Sequence, residues 1–255
     1  PVSDSASCFM DAAFTRLDWD SDFFGFEIAK IRHNAFYPGV VAELRDQGFR
    51  LAYYTCDLEP MSLYEEAQHH GAQWMDEKVT VRGPISGSKR GQIPLRPMPP
   101  GIRLRRFEAD VPSPALYEAN LLSGTFSRFQ QDPGFGTQAY ERLYNRWIEK
   151  CVADKTHGDV IVLEDGTGAL AGYLALSYRQ DLDAGVVVLY AVSPAYRRQG
   201  LSLHMAEYTM ELFAQRGLKD LIMVTQGKNM PSQAVWVKYG FPIVDRHHVF
   251  HLWLD

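Results

Sequence analysis

Val187-Val-Leu-Tyr-Ala-Val-Ser-Pro-Ala-Tyr-Arg-Arg-Gln-Gly-Leu-Ser-Leu-His204 is the stretch that decides how this chain folds. Its first part is an apolar run that stops at Pro194, as a strand does. The chain then turns through Arg197-Arg-Gln-Gly-Leu-Ser202. Beyond the turn, Leu201, Met205, Tyr208 and Leu212 recur at helical spacing beside a second row of Ala206, Met210 and Phe213. A glycine-bearing turn between a strand and a helix gathers backbone N–H groups, and its two arginines add positive charge. That combination is suited to holding an anion. The plainer alternative is an ordinary strand–turn–helix with a basic surface turn.

Working outward, the downstream chain reads as a strand over Leu221–Thr225, a helix over Ser232–Tyr239 and a closing strand over Ile243–Leu254, with Gly217 placed to cap the long helix. Upstream lie strands over Asp159–Leu163 and Leu170–Ser177, around the turn signal Glu164-Asp-Gly-Thr-Gly168. A second series of elements starts at Ile102–Phe107, and helices are expected over Pro114–Leu122 and Gln138–Ala153. Residues 85–100 are rich in proline and glycine without apolar periodicity and read as a linker. Before them, strands are expected at Phe23–Ile31, Phe49–Cys56 and Trp74–Arg82, with helices at Val40–Gly48 and Met61–His70. The expected organisation is a small α/β domain over 1–84, a linker over 85–100 and a second domain over 101–255.

Hydrophobic residues make up 46% of the 255 and charged residues 22%, enough apolar material for packed cores. A net charge of −5 provides no global attraction to nucleic acid, so an anionic ligand must be gripped locally. Cys8, Cys56 and Cys151 are far apart and read as reduced thiols. The first residues lack the basic and apolar regions of a signal peptide, and no run is long enough to span a bilayer. The expectation is a cytoplasmic protein without membrane insertion. His247 and His251 share one face of a strand while His248 opposes them, a poor zinc arrangement, so no metal is expected.

The turn resembles the acyl-CoA pyrophosphate loop of the GNAT superfamily of N-acetyltransferases, whose pattern is Arg/Gln-x-x-Gly-x-Gly/Ala. Thr225-Gln-Gly-Lys-Asn229 followed by Ser232-Gln-Ala-Val-Trp-Val-Lys-Tyr-Gly-Phe241 resembles the last motif of the same superfamily. The resemblance implies an α/β fold with a mixed sheet and an acyl-CoA donor, acetyl-CoA or another short acyl chain. It places the pantetheine arm beside Tyr190 and Val192 and the pyrophosphate on Arg197, Arg198, Gln199, Gly200, Leu201 and Ser202, with Asn229 and Trp236 also at the cofactor. Ser202 departs from the usual Gly or Ala. Trp236 stands where relatives carry a catalytic tyrosine, and an indole cannot serve as a proton source near neutral pH. Tyr239 and His204 are the nearby substitutes for that acid.

Over nearly the whole chain the sequence is similar to the dTDP-fucosamine acetyltransferase group, which acylates nucleotide-linked amino-deoxysugars for surface polysaccharides. Leu17-Asp-Trp-Asp-Ser-Asp-Phe-Phe-Gly-Phe26, Ser127-Arg-Phe-Gln-Gln-Asp-Pro-Gly-Phe135 and Tyr144-Asn-Arg-Trp-Ile-Glu149 carry that likeness. It implies a degenerate GNAT-like first half, a complete GNAT second half, and an acceptor amine on a 3- or 4-amino-dideoxyhexose. Sugar nucleotides carry two phosphates, and Arg128 is the expected cation, with Phe129 and Asp132 beside it. Phe126, Phe129 and Phe135 stack on the substrate or seal two helices. The resemblance allows a homodimer, with no interface legible in the residues. A free small amine or peptide N-terminus as acceptor, and a non-catalytic acyl-CoA sensor, are the alternative readings.

Overall fold

The computed structural model describes residues 13–254, so Cys8 and the first residues of the chain lie outside it. The chain divides into two compact units. The first comprises 1–75 with 247–255, and the second runs over 76–246.

The first unit is built from β1 (Phe14–Arg16), α1 (Asp18–Phe24), β2 (Ile28–Ile31), α2 (Pro38–Asp46), β3 (Leu51–Asp57) and α3 (Met61–His69). The chain then enters β4 (Gln73–Pro84), in which the unit boundary falls. Phe23 and Phe24, expected in a strand, close α1 instead. Asp18 and Asp20 sit in that helix's first turn, and Gly25 stops it at φ 79°. The strand therefore begins only at Ile28. β2 runs parallel to β3, and β1 is antiparallel to β2. Ala29, Ile31, Val40, Leu44, Ala52 and Tyr54 form the core of this unit.

The second unit continues with β5 (Arg103–Arg106), α4 (Pro114–Ser123), α5 (Arg128–Gln131), α6 (Ala139–Ala153), β6 (Gly158–Glu164), β7 (Leu170–Arg179), β8 (Ala184–Val192), α7 (Leu201–Gln215), β9 (Asp220–Gln226) and α8 (Met230–Lys238). A last strand, β10 (Ile243–Trp253), leaves this unit at Arg246 and pairs antiparallel with β3 from His247 onward. The sheet of the second unit has the order β4-β9-β8-β7-β6-β5, antiparallel except for the β8–β9 pair. One face packs against α7 and α8 through Leu174, Leu176, Met205, Phe213 and Met223. The other packs against α4 and α6 through Leu116, Tyr144, Ile148, Val162 and Tyr173.

The expected linker is an ordered strap within the second unit. Its Ile85 N–H donates to the Lys219 carbonyl at 2.8 Å and its Lys89 N–H to the Tyr239 carbonyl at 2.8 Å. Arg90 pairs with Glu211, and the Gly91 N–H reaches Glu207 Oε1 at 3.0 Å. Proline removes periodicity and donors from such a segment, yet these anchors on α7 and the chain after α8 hold it. The expected domain limits at 84 and 101 thus fall inside a unit that starts at Asp76.

Gly185 of β8 lets α7 press on the sheet, because a Cβ there would run into the Phe213 ring. Overpacking at such a contact costs about 1–3 kcal/mol. Gly185→Ala should lower the melting temperature by roughly 3–10 °C in calorimetry, with the far-ultraviolet spectrum unchanged. An unshifted transition would show that α7 is not seated on β8 in this way.

Candidate active site

Two irregularities meet at one residue of β8. The parallel β8–β9 register runs from Ala184↔Asp220 to Val187↔Met223 and stops, although the strands continue to Val192 and Gln226. On its other side, β8 passes from Leu189↔Ala175 to Val187↔Leu176, leaving Val188 as an extra residue. A bulge bends its strand and leaves the extra residue out of the ladder. The second unit's sheet therefore opens between β8 and β9 just past Val188. Val188 and Val224, one on each strand, stay exposed in this cleft at 42% and 47%.

Tyr190 and Val192 lie on the open part of β8 and lean toward the α7 side. Burial pushes the Tyr190 hydroxyl up to about 12, with a hydrogen bond from Ser202 acting the other way. Past Pro194 the chain reaches Arg198 at φ 64° and Gly200 at φ 86°, both left-handed. Alternating left-handed residues turn successive N–H groups toward one concavity, a nest for an anion. Gly200 is also the N-cap of α7, whose free N–H groups add to it. The strap joins here, since Arg96 Nη1 donates to the Arg198 carbonyl at 3.4 Å and His204 Nε2 lies 2.8 Å from the Arg96 carbonyl. Arg197, Arg198, Gln199, Gly200, Leu201 and Ser202 thus occupy one loop and helix start. The cradle, with its positively charged rim, has the chemistry a pyrophosphate requires.

Other expected site residues have different settings. Trp236 is 1% exposed, within the core beneath α7 and α8, at 6.1 Å from the Phe241 ring. It faces the core and not the cleft, which corrects its expected place at the cofactor arm. Its Nε1 has no hydrogen-bond partner among the described residues. Tyr239 is equally buried, its hydroxyl donates to the Leu203 carbonyl at 3.2 Å, and burial raises it well above the ordinary phenol range. It ties α8 to α7. His204 anchors the strap. Asn229 caps α8, accepting from the Ser232 N–H at 3.4 Å and donating to Thr225 Oγ1 at 3.1 Å.

On the α4–α6 face, Ser127 caps α5 and Asp132 caps the following turn, accepting from the Gly134 N–H at 2.9 Å. Phe129 is buried against Phe135 and Trp147, an aromatic seal at centroid distances of 5.3 and 6.0 Å. Arg128 carries its guanidinium 4.8 Å from the Phe129 ring centre.

The residue that sequence reasoning missed is Asp76. It is 6% exposed, and its Oδ1 makes no hydrogen bond among the described residues. Strand alternation from Val79 and Val81, which face the core, turns Asp76 to the opposite face. The β4–β9 register, Lys78↔Gln226, sets it beside Gly227 at the open end of the cleft. Burial pushes the Asp76 carboxyl up to about 6, against the pull of the Glu77 and Gly227 N–H groups and of the Lys228 and Arg128 charges. Lys228 Nζ lies 3.4 Å from Gln131 Oε1, so α5 meets this carboxylate's surroundings. A carboxylate poised near neutrality in a cleft, flanked by cations, is a candidate proton acceptor. Its only trace in the sequence is an acidic residue inside a strand pattern.

Residues 120–241, which contain the cleft, the loop and α8, match the acetyltransferase (GNAT) family. A spore coat polysaccharide biosynthesis protein, SpsD, of Bacillus subtilis is 22% identical over 58% of this chain and 51% of its own length. A mycothiol acetyltransferase of Catenulispora acidiphila is 26% identical over 58% of this chain and 46% of its own. The chain spans about half the length of these curated relatives. Among solved structures, a tandem GNAT protein from the clavulanic acid biosynthesis pathway superposes with a TM-score of 0.58 at 15% identity, over 89% of this chain and 75% of that one. A GCN5-related N-acetyltransferase from Sphaerobacter thermophilus gives 0.59 at 12% identity, over 95% and 76%. No helix among the described residues is long and apolar enough to cross a membrane. The loop and the interrupted strand pair thus lie in a segment, residues 120–241, that matches the acetyltransferase (GNAT) family, within a fold shared with a tandem GNAT protein.

Proposed function

We propose that the protein N-acylates the amine of a nucleotide-linked 3- or 4-amino-dideoxyhexose, using an acyl-CoA. The observation that carries this reading is the pairing, in one unit, of an anion cradle at Arg197–Ser202 with the cation-flanked carboxylate Asp76 beside the opened strands. When bound, the acyl-CoA thioester supplies the acyl group: the C–N bond forms, the C–S bond breaks and the thiol leaves.

The chain's own residues supply the rest. The loop N–H groups and arginines hold the pyrophosphate. Past Val187 the β8–β9 register ends, and the β8 backbone N–H groups beyond it are the donors for negative charge developing on a carbonyl oxygen. Asp76 accepts the proton that the acceptor amine sheds on attack. No residue need protonate the leaving sulfur, because a thiol with a pKa of about 8.5 departs readily as thiolate. This removes the demand for an acid at Trp236 or Tyr239.

Arg128 and Lys228 support a phosphate-bearing acceptor, and the polysaccharide role named for the Bacillus relative agrees with a sugar. Thiol release from acetyl-CoA, assayed with dTDP-linked 3-amino and 4-amino sugars, tests the reading. Turnover of a free amine or peptide in preference to every sugar nucleotide would overturn it. Arg128→Ala should raise the sugar-nucleotide KM roughly 10- to 100-fold, as the loss of a charge-assisted contact does, while the acetyl-CoA KM stays put. An equal change in both constants would move Arg128 out of the acceptor site.

A further inference from the structure

The first unit gathers a second set of chemically active side chains. Asp57 ends β3, and the antiparallel register places His247 of β10 directly opposite it. His33 follows β2, whose parallel pairing with β3 leads the chain to the same end of the sheet. Asp57 Oδ1 lies 3.0 Å from His33 Nε2 and 3.2 Å from His247 Nδ1. Ligand atoms of all three residues fall within 4.8 Å of one another.

The groups behind them are fixed as well. His33 Nδ1 is 3.1 Å from Thr55 Oγ1. With that nitrogen carrying the proton, the Nε2 lone pair faces Asp57. Asn34 donates through Nδ2 to Asp57 Oδ2 at 2.7 Å, and its Oδ1 accepts the Asp57 N–H at 2.9 Å. Asn34 holds a left-handed φ of 56° to make this return contact. Hydrogen bonds from an outer ring of residues are what orient metal-binding imidazoles and carboxylates.

We propose that His33, Asp57 and His247 bind one Zn²⁺ ion, with the fourth position open to solvent. Two imidazoles and one carboxylate suit a borderline transition ion, whereas calcium and magnesium take oxygen ligands. Zinc bonds of about 2.0–2.1 Å in a tetrahedron set ligand atoms about 3.3 Å apart. Two of the three edges already stand at 3.0 and 3.2 Å. The His33 and Asp57 side chains are 38% and 48% exposed, so water reaches the open position. The site sits at the carboxyl ends of the parallel pair β2 and β3, where open α/β sheets place their ligands. Without the ion, an Nε2–H tautomer of His33 donates to Asp57. Binding takes the other tautomer, with Nε2 on the metal and Nδ1–H on Thr55 Oγ1.

The test uses the full chain without a polyhistidine tag, stripped with chelator and titrated calorimetrically with ZnCl₂ in two buffers of different ionisation enthalpy. One ion per chain and micromolar or tighter affinity are expected. His33→Gln and Asp57→Asn should each weaken binding roughly 100-fold or more, and Thr55→Val, which removes only an outer bond, roughly tenfold. His69→Ala, a change at an exposed surface histidine, should leave the isotherm intact. Circular dichroism of each variant establishes that it is folded. The absence of uptake overturns the proposal, leaving a hydrogen-bonded His–Asp–His cluster. Uptake that survives in both His33→Gln and Asp57→Asn overturns it equally.

Discussion

Asp76→Asn lowers kcat roughly 10²- to 10³-fold at pH 8 without lowering the melting temperature, the combination expected of a buried base held away from its preferred charge. The kinetic half follows from the amide's inability to take a proton. In the native enzyme, kcat/KM falls below about pH 6 as Asp76 protonates, and this limb disappears in the variant. The stability half has the opposite sign to an ordinary salt-bridged aspartate. The Asp76 carboxyl is raised from 3.8 to about 6 by burial, so folding favours its neutral form. Its contribution is full below about pH 4 and is lost as pH rises through 6, a difference on the order of 3 kcal/mol. The amide is neutral throughout and escapes that loss. Stopped thiol-release kinetics and scanning calorimetry at pH 5 and pH 8 separate the two effects. A variant with full activity, or one destabilised at pH 8, would rule out this role.

Gly200→Val should raise the acetyl-CoA KM roughly 10- to 100-fold while kcat at saturating donor changes little. At φ 86° a β-branched residue is strained by about 1–3 kcal/mol. The nearest neighbour of a Cβ there is Arg96 at 3.8 Å, so the effect arises from backbone strain and not from a clash. The loop relieves it by turning its N–H groups out of the nest. Asn tolerates left-handed geometry, so Gly200→Asn should retain most of the affinity. Equal losses in the two variants would point to side-chain bulk. Unchanged KM in both would remove the loop from donor binding.

Local signals were legible where one element follows another. The strand, turn and helix of 187–204 stand as expected, and the two apolar rows of α7 are buried at Leu201, Met205, Ala206, Met210, Leu212 and Phe213. The Arg197–Ser202 turn could be read for the same reason, since its left-handed residues and the start of α7 are adjacent in sequence. What escaped depends on pairing between distant segments. Phe23 and Phe24 alternate with polar neighbours as a strand would, but two aspartates and Gly25 enclose a short helix. The 85–100 strap carries no periodicity because its bonds go outward to Glu207, Glu211 and Tyr239. Asp76 and the His33–Asp57–His247 group owe their chemistry to strand register, and register is set by the whole sheet. The three histidines near the C-terminus cluster in sequence, yet of the three it is His247 that stands opposite Asp57.

The return of β10 to β3 also fixes an order of events during synthesis. Asp57 emerges from the ribosome early, but its partner His247 appears only after all of 76–246 has been made. The second unit is continuous and has every strand of its own ladder from β4 to β9 in hand before that moment. The first unit meanwhile exposes the edge of β3, a row of unpaired N–H and C=O groups open to mispairing. Nascent chains stalled before His247 should therefore present a finished second unit attached to an unclosed sheet, which is the state a chaperone would meet.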